Sequence, residues 1–189
     1  TDPDDFSEVD AADLVLWEFT DEDDADLGFS YNSPPIEFVT GQSSQIAKMN
    51  NGEWALIVGN GYNSTQADGH ASATGHAALF VLFIEDGADG TWDSGDYVKI
   101  DTGAGTTDAP NGLATPRPMD IDGDGDVDVA YAGDLEGNLW KFDLTSATAG
   151  SWTARHLFSA VNDDSVPQPI TSAPVAVRHP DGGYMVSFG

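Results

Sequence analysis

The chain has no cysteine and only 6 lysine and arginine residues among its 189 positions. Without cysteine it can form neither a disulfide framework nor a thiolate metal site. Against 33 acidic residues, the few basic ones leave a formal net charge of −27. This balance argues against nucleic acid or an anionic membrane surface as a partner, because both are bound through clustered lysine and arginine.

Long apolar runs are missing as well. The longest, AALFVLFI at residues 77–84, is far shorter than the roughly 20 residues that a membrane-spanning helix needs. No membrane insertion is therefore expected. No signal peptide is recognisable, and the chain begins at Thr1 rather than at a methionine, so we expect a processed or excised piece of a longer protein.

What the sequence does contain is the run DIDGDGDVD at residues 120–128, with aspartate at every second position. Calcium loops place oxygen ligands at their first, third, fifth and ninth positions, a backbone carbonyl at the seventh and a glycine at the sixth for the tight turn. Asp120, Asp122, Asp124 and Asp128 occupy the first, third, fifth and ninth positions, Gly125 the sixth and Asp126 the seventh. The pattern predicts a Ca²⁺ site closed by Asp128. An empty acidic turn is the alternative, which repulsion between five carboxylates disfavours.

The segment after this loop differs from an EF-hand. An EF-hand would place a glutamate at the twelfth position and continue into a helix. Here that position is Tyr131, in the strand-like run VDVAYAG. We therefore predict a calcium-type loop on a β scaffold.

A unit of similar length occurs three times along the chain. In each copy a short apolar run leads through a polar stretch to a small residue and a proline. The pairs that mark this spacing are Trp17 and Pro34, Val98 and Pro116, and Leu157 and Pro174. After each proline come two apolar segments separated by a turn, the second being EWALIVGNG, DVAYAGD or YMVSFG. Each unit is typical of four short strands joined by Gly, Asp and Asn turns.

Repeated four-stranded units predict an all-β fold, a partial β-propeller with four-stranded antiparallel blades. A β-sandwich is the alternative, but it would not require repetition of a whole unit. The predicted single domain, 1–189, contains the last strand of one blade at 14–20, blades at about 33–103 and 113–161, and a half blade at about 170–189. The run DIDGDGDVD would be the turn between the first and second strands of a blade, where the preceding blade has TGQSSQIAKMNNGE.

The stretch LATPRPMDIDGDGDVDVAYAGDLEGNLWKFDL closely resembles the calcium-loop blade of the PilY/PilC family of type IV pilus biogenesis factors and tip adhesins. Further stretches are similar to the same domain, namely LWEFTDEDDADLGFSYNSPPI, NGEWALIVGNGYNS and QPITSAPVAVRHPDGGYMVSFG. The resemblance implies a modified, quinoprotein-like propeller from the C-terminal part of a large secreted protein.

The resemblance also implies a function and a ligand set. It places the protein outside the cell, at the surface, outer membrane and pilus tip, with pilin or minor pilins and host or abiotic surfaces as partners. Calcium in the loop would control pilus extension against retraction, in support of adhesion and twitching motility. The implied ligands are the side chains of Asp120, Asp122, Asp124 and Asp128, and the backbone carbonyl of Asp126. The family often has asparagine where this chain has Asp122, which adds a charge.

Two other classes of function remain as alternatives. Quinoprotein dehydrogenases share the propeller architecture, so the fold alone does not exclude an enzyme. However, the sequence shows no nucleophile beside a base, no glycine-rich phosphate loop and no complete cofactor pocket, and we predict a non-enzymatic protein. A structural scaffold in outer-membrane assembly is the third reading.

For several other features we favour an ordinary structural role over a functional one. EDGADGTWDSGD at 85–96 is predicted to be a solvated hairpin loop rather than a second cation site, and the insertion 59–75 a surface loop, although adhesion could map there. Asp21 to Asp26 is predicted to be a solvated charge run. The four histidines show no metal spacing. Trp17, Trp54 and Trp140 are predicted to lie in strands and to pack between blades rather than to hold a cofactor.

Overall fold

The computed structural model describes residues 15–33, 45–66 and 69–189. The strands are β1 (Ile46–Met49), β2 (Trp54–Gly59), β3 (His76–Phe83), β4 (Tyr97–Gly105), β5 (Arg117–Met119), β6 (Asp126–Val127), β7 (Val129–Gly133), β8 (Asn138–Asp143), β9 (Thr153–Ser159), β10 (Val175–Arg178) and β11 (Tyr184–Ser187). Short 3-10 helices cover Asp86–Asp89 and Ala149–Ser151. The prediction of an all-β fold class is confirmed.

The first sheet has the strand order β4-β3-β2-β1-β6. Its first four strands pair antiparallel, whereas β6 lies parallel to β1, with Lys48 opposite Asp126 and Met49 opposite Val127. Strand β3 lies between β4 and β2, and every position after His76 is buried. Burial on both faces explains why its sequence is a continuous apolar run rather than an alternation of apolar and polar residues.

The second sheet has the order β5-β7-β8-β9, and all its pairs are antiparallel. Strands β10 and β11 form a separate two-stranded antiparallel unit, here called the last hairpin. Strand β7 is buried at all five positions. The second sheet therefore has the four-stranded antiparallel form expected from the repeat.

The hydrophobic core joins the two sheets. Burial of such apolar side chains is the main favourable contribution to folding. Its large members from the first sheet are Met49, Ile57, Leu79, Val81 and Phe83, and those from the second sheet and its flanks are Leu113, Trp140, Phe142, Leu144 and Trp152. Since both sheets contribute to one cluster, they are held face to face.

A buried polar side chain follows the second strand of the first sheet. Asn60 has no solvent exposure. Its amide nitrogen donates to the carbonyl oxygens of Asp26 at 2.8 Å and His76 at 2.9 Å. Its side-chain oxygen accepts from the backbone amides of Ala78 at 3.1 Å and Leu113 at 2.9 Å. Because Leu113 leads into the second sheet, Asn60 links one sheet to the next.

Asp134 occupies the corresponding place after β7 and is also fully buried. Its carboxylate accepts from the indole nitrogen of Trp140 at 2.8 Å and from the side-chain amide of Asn111 at 2.9 Å. Its carbonyl accepts from the backbone amide of Ile170, 2.9 Å away, on the way to the last hairpin. A charge buried this deeply is tolerated because it is fully hydrogen-bonded.

Parts of the structure differ from the sequence-based expectations. Strand β1 lies within TGQSSQIAKMNNGE, which the repeat predicts to be a turn. The backbone of β1 instead pairs with β2 and β6. The predicted strand at 14–20 is not formed at residues 15–20, which pair with no strand of the described ranges. The strand expected after Pro34 falls at 34–44, outside the described residues.

The three tryptophans also differ from one another. Trp140 lies in β8, buried in the core as predicted. Trp54 begins β2 but is 53% exposed. Trp17 lies outside the strands and contacts Trp92 edge to face, with ring centroids 5.0 Å apart. The predicted packing is therefore confirmed for Trp140. Trp54 lies in a strand but is half open to solvent in this chain, and the predicted strand at Trp17 is wrong.

Candidate metal centre

The acidic loop, residues 120–128, joins β5 to β7 at one edge of the second sheet. One carboxylate oxygen each from Asp120, Asp122 and Asp124 lies within 4.8 Å of the other two, and all three residues are exposed. The structure thus brings together the first three ligands predicted from the sequence.

Backbone hydrogen bonds to Asp120 set the curvature of this loop. Its carboxylate accepts from the amides of Gly123 at 2.6 Å and Gly125 at 2.9 Å. Both glycines have positive φ, 90° and 97°, a conformation that residues with a Cβ rarely adopt. Burial would raise the pKa of Asp120, but these backbone hydrogen bonds outweigh it and lower the pKa.

Two further aspartates continue the same local pattern. An Asp122 oxygen accepts from the amide of Asp124 at 3.1 Å, and an Asp124 oxygen accepts from the amide of Asp126 at 2.9 Å. Such side-chain to backbone bonds are typical of Asx turns. The bond from Asp124 would lower the pKa of Asp122, but desolvation and the charges of Asp124, Asp128 and Asp120 outweigh it and raise the pKa. The like charges of the neighbouring carboxylates are thus part of the cause of this raised pKa.

Asp128 lies at the buried end of the loop, with 5% of its surface exposed. Its carboxylate accepts from the amide of Ile121 at 2.8 Å, which closes the loop on itself. Its backbone amide donates to Met119 at 3.0 Å, and its carbonyl accepts from Leu144 at 2.8 Å. The predicted closing ligand is therefore part of the loop, although its oxygens are not in the cluster of three.

The side chain of Asp126 takes a different direction. It forms an ion pair with Lys48 of β1, Nζ to Oδ1 2.9 Å. Within the described residues, which include all six lysines and arginines, no ion pair involves Asp120, Asp122, Asp124 or Asp128. Four loop carboxylates thus lack a cationic partner among the residues that the structure describes.

Oxygen-only donor sets of this kind suit hard cations. Calcium accepts six to eight oxygen ligands in flexible geometry, whereas magnesium demands a near-ideal octahedron at shorter distances. The acidic loop supplies carboxylates and, at residue 126, a backbone carbonyl, so the residues present fit calcium.

The structure also contains contacts to the acidic loop that the sequence analysis missed. Besides Lys48, the side chain of Asn50 donates to the carbonyls of Val127 at 2.9 Å and Leu144 at 3.1 Å. From the other side, Arg178 and Tyr184 of the last hairpin donate to the carbonyl of Ile121. These residues lie more than 50 positions away in the sequence, and no local pattern marks them.

A second acidic group, around Asp24 and Asp26, proves to be paired rather than solvated. Lys99 contacts Asp24 at 2.8 Å and Asp26 at 2.7 Å, and both carboxylate side chains are only 10% exposed. The hydroxyl of Ser72 also donates to Asp26. We call Asp24, Asp26, Lys99 and Ser72 the paired cluster. It corrects the prediction of a solvated charge run at Asp24 and Asp26, because Lys99 contacts both acids; Glu22 of the same run is exposed, as predicted.

The ionisation of the paired cluster reflects this neutralisation. Burial would raise the pKa of Asp26, but hydrogen bonds from Lys99 and Ser72 and the charge of Lys99 lower it overall. Burial would likewise lower the pKa of Lys99, and the two carboxylates raise it. Burial and the neighbouring Asp24 raise the pKa of Tyr97 to about 12.

The remaining candidates show no gathered ligands. In residues 85–96, Asp89 binds Thr91 and Asp96 binds the amide of Asp93, as in ordinary turns. Over the described ranges, no second group of three acidic or histidine ligands lies close enough to share an ion. The insertion 59–75 is fixed near its end by Ser72; residues 67 and 68 lie outside the described part.

Two packed sheets, each with four antiparallel strands and the first with β6 added in parallel at its edge, define a β-propeller. The acidic turn between β5 and β7 of the second sheet is its candidate cation loop. The family model of the "PilY1 beta-propeller domain" matches residues 5–189. The chain belongs to this family.

Relatives support the assignment. The type IV pilus biogenesis factor PilY1 of Pseudomonas aeruginosa strain PAO1 is 35% identical over 196 residues, covering 93% of this chain and 15% of the relative. A PilY1 homolog of Xylella fastidiosa strain Temecula1 is 34% identical over 185 residues, covering 93% of this chain and 11% of the relative. The chain therefore spans a small part of these proteins.

A solved structure agrees with the fold. The crystal structure of the P. aeruginosa PilY1 C-terminal domain has a TM-score of 0.70 and 35% sequence identity, covering 92% of this chain and 34% of that one. Among the described residues, no helix has the length and apolar character needed to cross a membrane.

Proposed function

We propose that this chain is a calcium-binding β-propeller module of a type IV pilus biogenesis protein, and that it works by binding and regulation. The observation that carries the proposal is the cluster of Asp120, Asp122 and Asp124, whose oxygens lie within 4.8 Å of one another. Lys48 neutralises Asp126 alone, so an external cation is needed to relieve the repulsion among the others.

In the proposed site, Ca²⁺ is held by the side chains of Asp120, Asp122, Asp124 and Asp128. Asp126 contributes its backbone carbonyl, which is consistent with a side chain already engaged by Lys48. The exposed position of the cluster leaves room for water to complete six to eight ligands.

The proposed role of the ion is electrostatic. Calcium would neutralise the acidic loop, hold the start of β7 in place and bias contacts between this module and pilus components, pilins or minor pilins. In this proposal the parent protein acts at the cell surface and pilus tip, favours extension over retraction, and supports adhesion and twitching motility. Support comes from the names of the relatives, which are pilus biogenesis factors.

A non-enzymatic role is part of the proposal. The relatives are named as biogenesis factors rather than as enzymes. The acidic loop offers oxygen ligands and no nucleophile paired with a base, so its chemistry favours ion binding over catalysis.

The test compares Asp124→Ala, which removes a ligand oxygen, with Asp163→Ala, which removes an exposed acid outside the loop. Calcium at about 100 times its Kd should stabilise the wild-type chain by about 2.7 kcal/mol. For a domain of this size that raises the Tm by about 5 to 10 °C. Calorimetric titration and thermal melts in calcium or chelator measure both effects.

Asp163→Ala should respond to calcium like the wild type, whereas Asp124→Ala should lose most of the response. In the full-length protein, the same pair should differ in the fraction of cells with surface pili. Identical calcium responses in the two variants would rule out the site. If the Asp124 variant loses calcium binding but the cells keep their surface pili, the calcium site is supported and the proposed regulatory role is overturned.

A further inference from the structure

The acidic loop is held from outside by two separate parts of the chain. On one side lies the hairpin of β1 and β2. Lys48 contacts both carboxylate oxygens of Asp126, at 2.9 and 3.3 Å. Asn50 bonds the carbonyl of Val127, and its amide lies 3.4 Å from a carboxylate oxygen of Asp128. The parallel pairing of β6 with β1 adds backbone contacts to this side.

On the other side lies the tip of the last hairpin. Arg178 Nη2 donates to the carbonyl of Ile121 at 3.0 Å, and the Tyr184 hydroxyl donates to the same oxygen at 3.2 Å. These two residues face each other across β10 and β11, and the guanidinium lies 5.6 Å from the centre of the tyrosine ring. Two donors from one hairpin therefore converge on a single loop carbonyl.

Ile121 occupies a special position in this arrangement. It stands between Asp120 and Asp122, two of the three gathered carboxylates. Its amide donates to Asp128 within the loop, and its carbonyl accepts from the last hairpin outside it. Any force that draws Asp120, Asp122 and Asp128 together fixes the peptide groups of Ile121, and with them the acceptor for Arg178 and Tyr184.

We propose that the acidic loop is a cation-dependent clamp that joins the first sheet, the second sheet and the last hairpin, with Arg178 and Tyr184 as its positioning residues. This inference rests on the proposed calcium site. An ion that orders Ile121 strengthens the grip of the loop on the last hairpin. By thermodynamic reciprocity, that grip must raise the affinity for the ion by the same factor.

The contacts on the two sides of the acidic loop differ, so the ion should not affect both sides equally. The contacts from Lys48 and Asn50 reach the end of the loop at residues 126–128, where β6 is fixed by backbone pairing. The contacts from Arg178 and Tyr184 reach the start of the loop through side chains alone. Changes in ion occupancy are therefore passed to the last hairpin more than to the first sheet.

The test uses the 189-residue chain with calcium chloride as the probe. The double variant Arg178→Met, Tyr184→Phe removes both donors while keeping side-chain bulk. Loss of such outer-shell contacts should weaken calcium binding roughly tenfold. In the wild type, calcium should slow amide hydrogen exchange in residues 175–187, and in the double variant this slowing should disappear.

The matched control is Arg155→Met, Tyr31→Phe, which removes an exposed arginine and an exposed hydroxyl elsewhere. It should keep both the calcium affinity and the exchange response. A merely structural role of Arg178 and Tyr184 would lower the Tm equally in calcium and in chelator, without changing the affinity. The single variant Tyr184→Phe serves if the double variant does not fold.

The possible outcomes separate the two proposals. Weaker binding with loss of the exchange response supports the clamp. Calcium binding of unchanged affinity, with hairpin exchange indifferent to the ion, overturns the clamp and leaves the calcium site intact. No calcium binding by the wild type overturns both.

Discussion

The paired cluster and the acidic loop both concentrate negative charge, but only the paired cluster is neutralised by a basic side chain of the chain itself. In the paired cluster, Lys99 lies within 2.8 Å of both Asp24 and Asp26, and the carboxylates are largely buried. In the acidic loop, Asp120, Asp122 and Asp124 are exposed and gathered without a basic side chain. The difference teaches that in a chain this acidic, charge density alone does not mark a cation site; what marks it is gathered acid that the fold leaves without an internal partner.

Removing the ammonium group of Lys99 should produce the largest change in stability. Lys99→Met leaves Asp24 and Asp26 close together and uncompensated, which should cost about 2 kcal/mol, less than for a fully buried pair. The Tm should fall by the same amount in calcium and in chelator, as thermal melts can show. Lys141→Met is the control for the loss of one lysine. If both variants melt alike, the paired cluster contributes nothing special.

The second largest effect concerns the pH dependence of stability in the paired cluster. Because the pKa of Asp26 is lowered from 3.8 in the folded state, its stabilising contribution is complete above that value and is lost as pH falls through the folded pKa. Asp26→Asn should therefore be less stable than the wild type at pH 7, by roughly 1 kcal/mol. The gap should close below pH 3.8. A gap that stays constant from pH 7 to pH 3 in melts of both proteins would contradict this.

The smallest expected effect is a gain in stability rather than a loss. In chelator, Asp122→Asn should raise the Tm slightly, because it removes one of the mutually repelling charges that raise the pKa of Asp122. With calcium, the same variant should bind more weakly while keeping an oxygen ligand. Asp163→Asn should show neither change. A lower Tm in chelator would mean that the acidic loop is not under electrostatic strain.

Sequence reasoning recovered what depends on local pattern. The alternation of aspartate with glycine and valine in DIDGDGDVD predicted a loop in which Asp120, Asp122 and Asp124 converge, and the structure gathers these three. The all-β fold followed from short apolar segments punctuated by glycine and asparagine. Strand β1 was missed because IAKM is short and follows a polar stretch, and its pairing with β6 depends on a segment 78 residues away.

What the sequence could not predict are partners brought together by tertiary structure. Nothing in the sequence around Lys99 distinguishes it from Lys48, yet one neutralises a buried pair and the other a single loop side chain. Arg178 and Tyr184 read as ordinary strand residues until the last hairpin places them on Ile121. Metal occupancy is a prediction that the experiments above test.

Asn60 and Asp134, the buried polar residues that follow β2 and β7, have a mechanical consequence. Each one holds the backbone that leads into the next unit, through Leu113 in one case and Ile170 in the other. Separating the units would break the bond from Leu113 to the Asn60 side chain and the backbone bond from Ile170 to Asp134. Each lost bond would leave a buried polar group with one partner fewer, at a cost of about 1 to 3 kcal/mol. Under tension, the sheets are therefore expected to give way together in one event rather than unravel one after another.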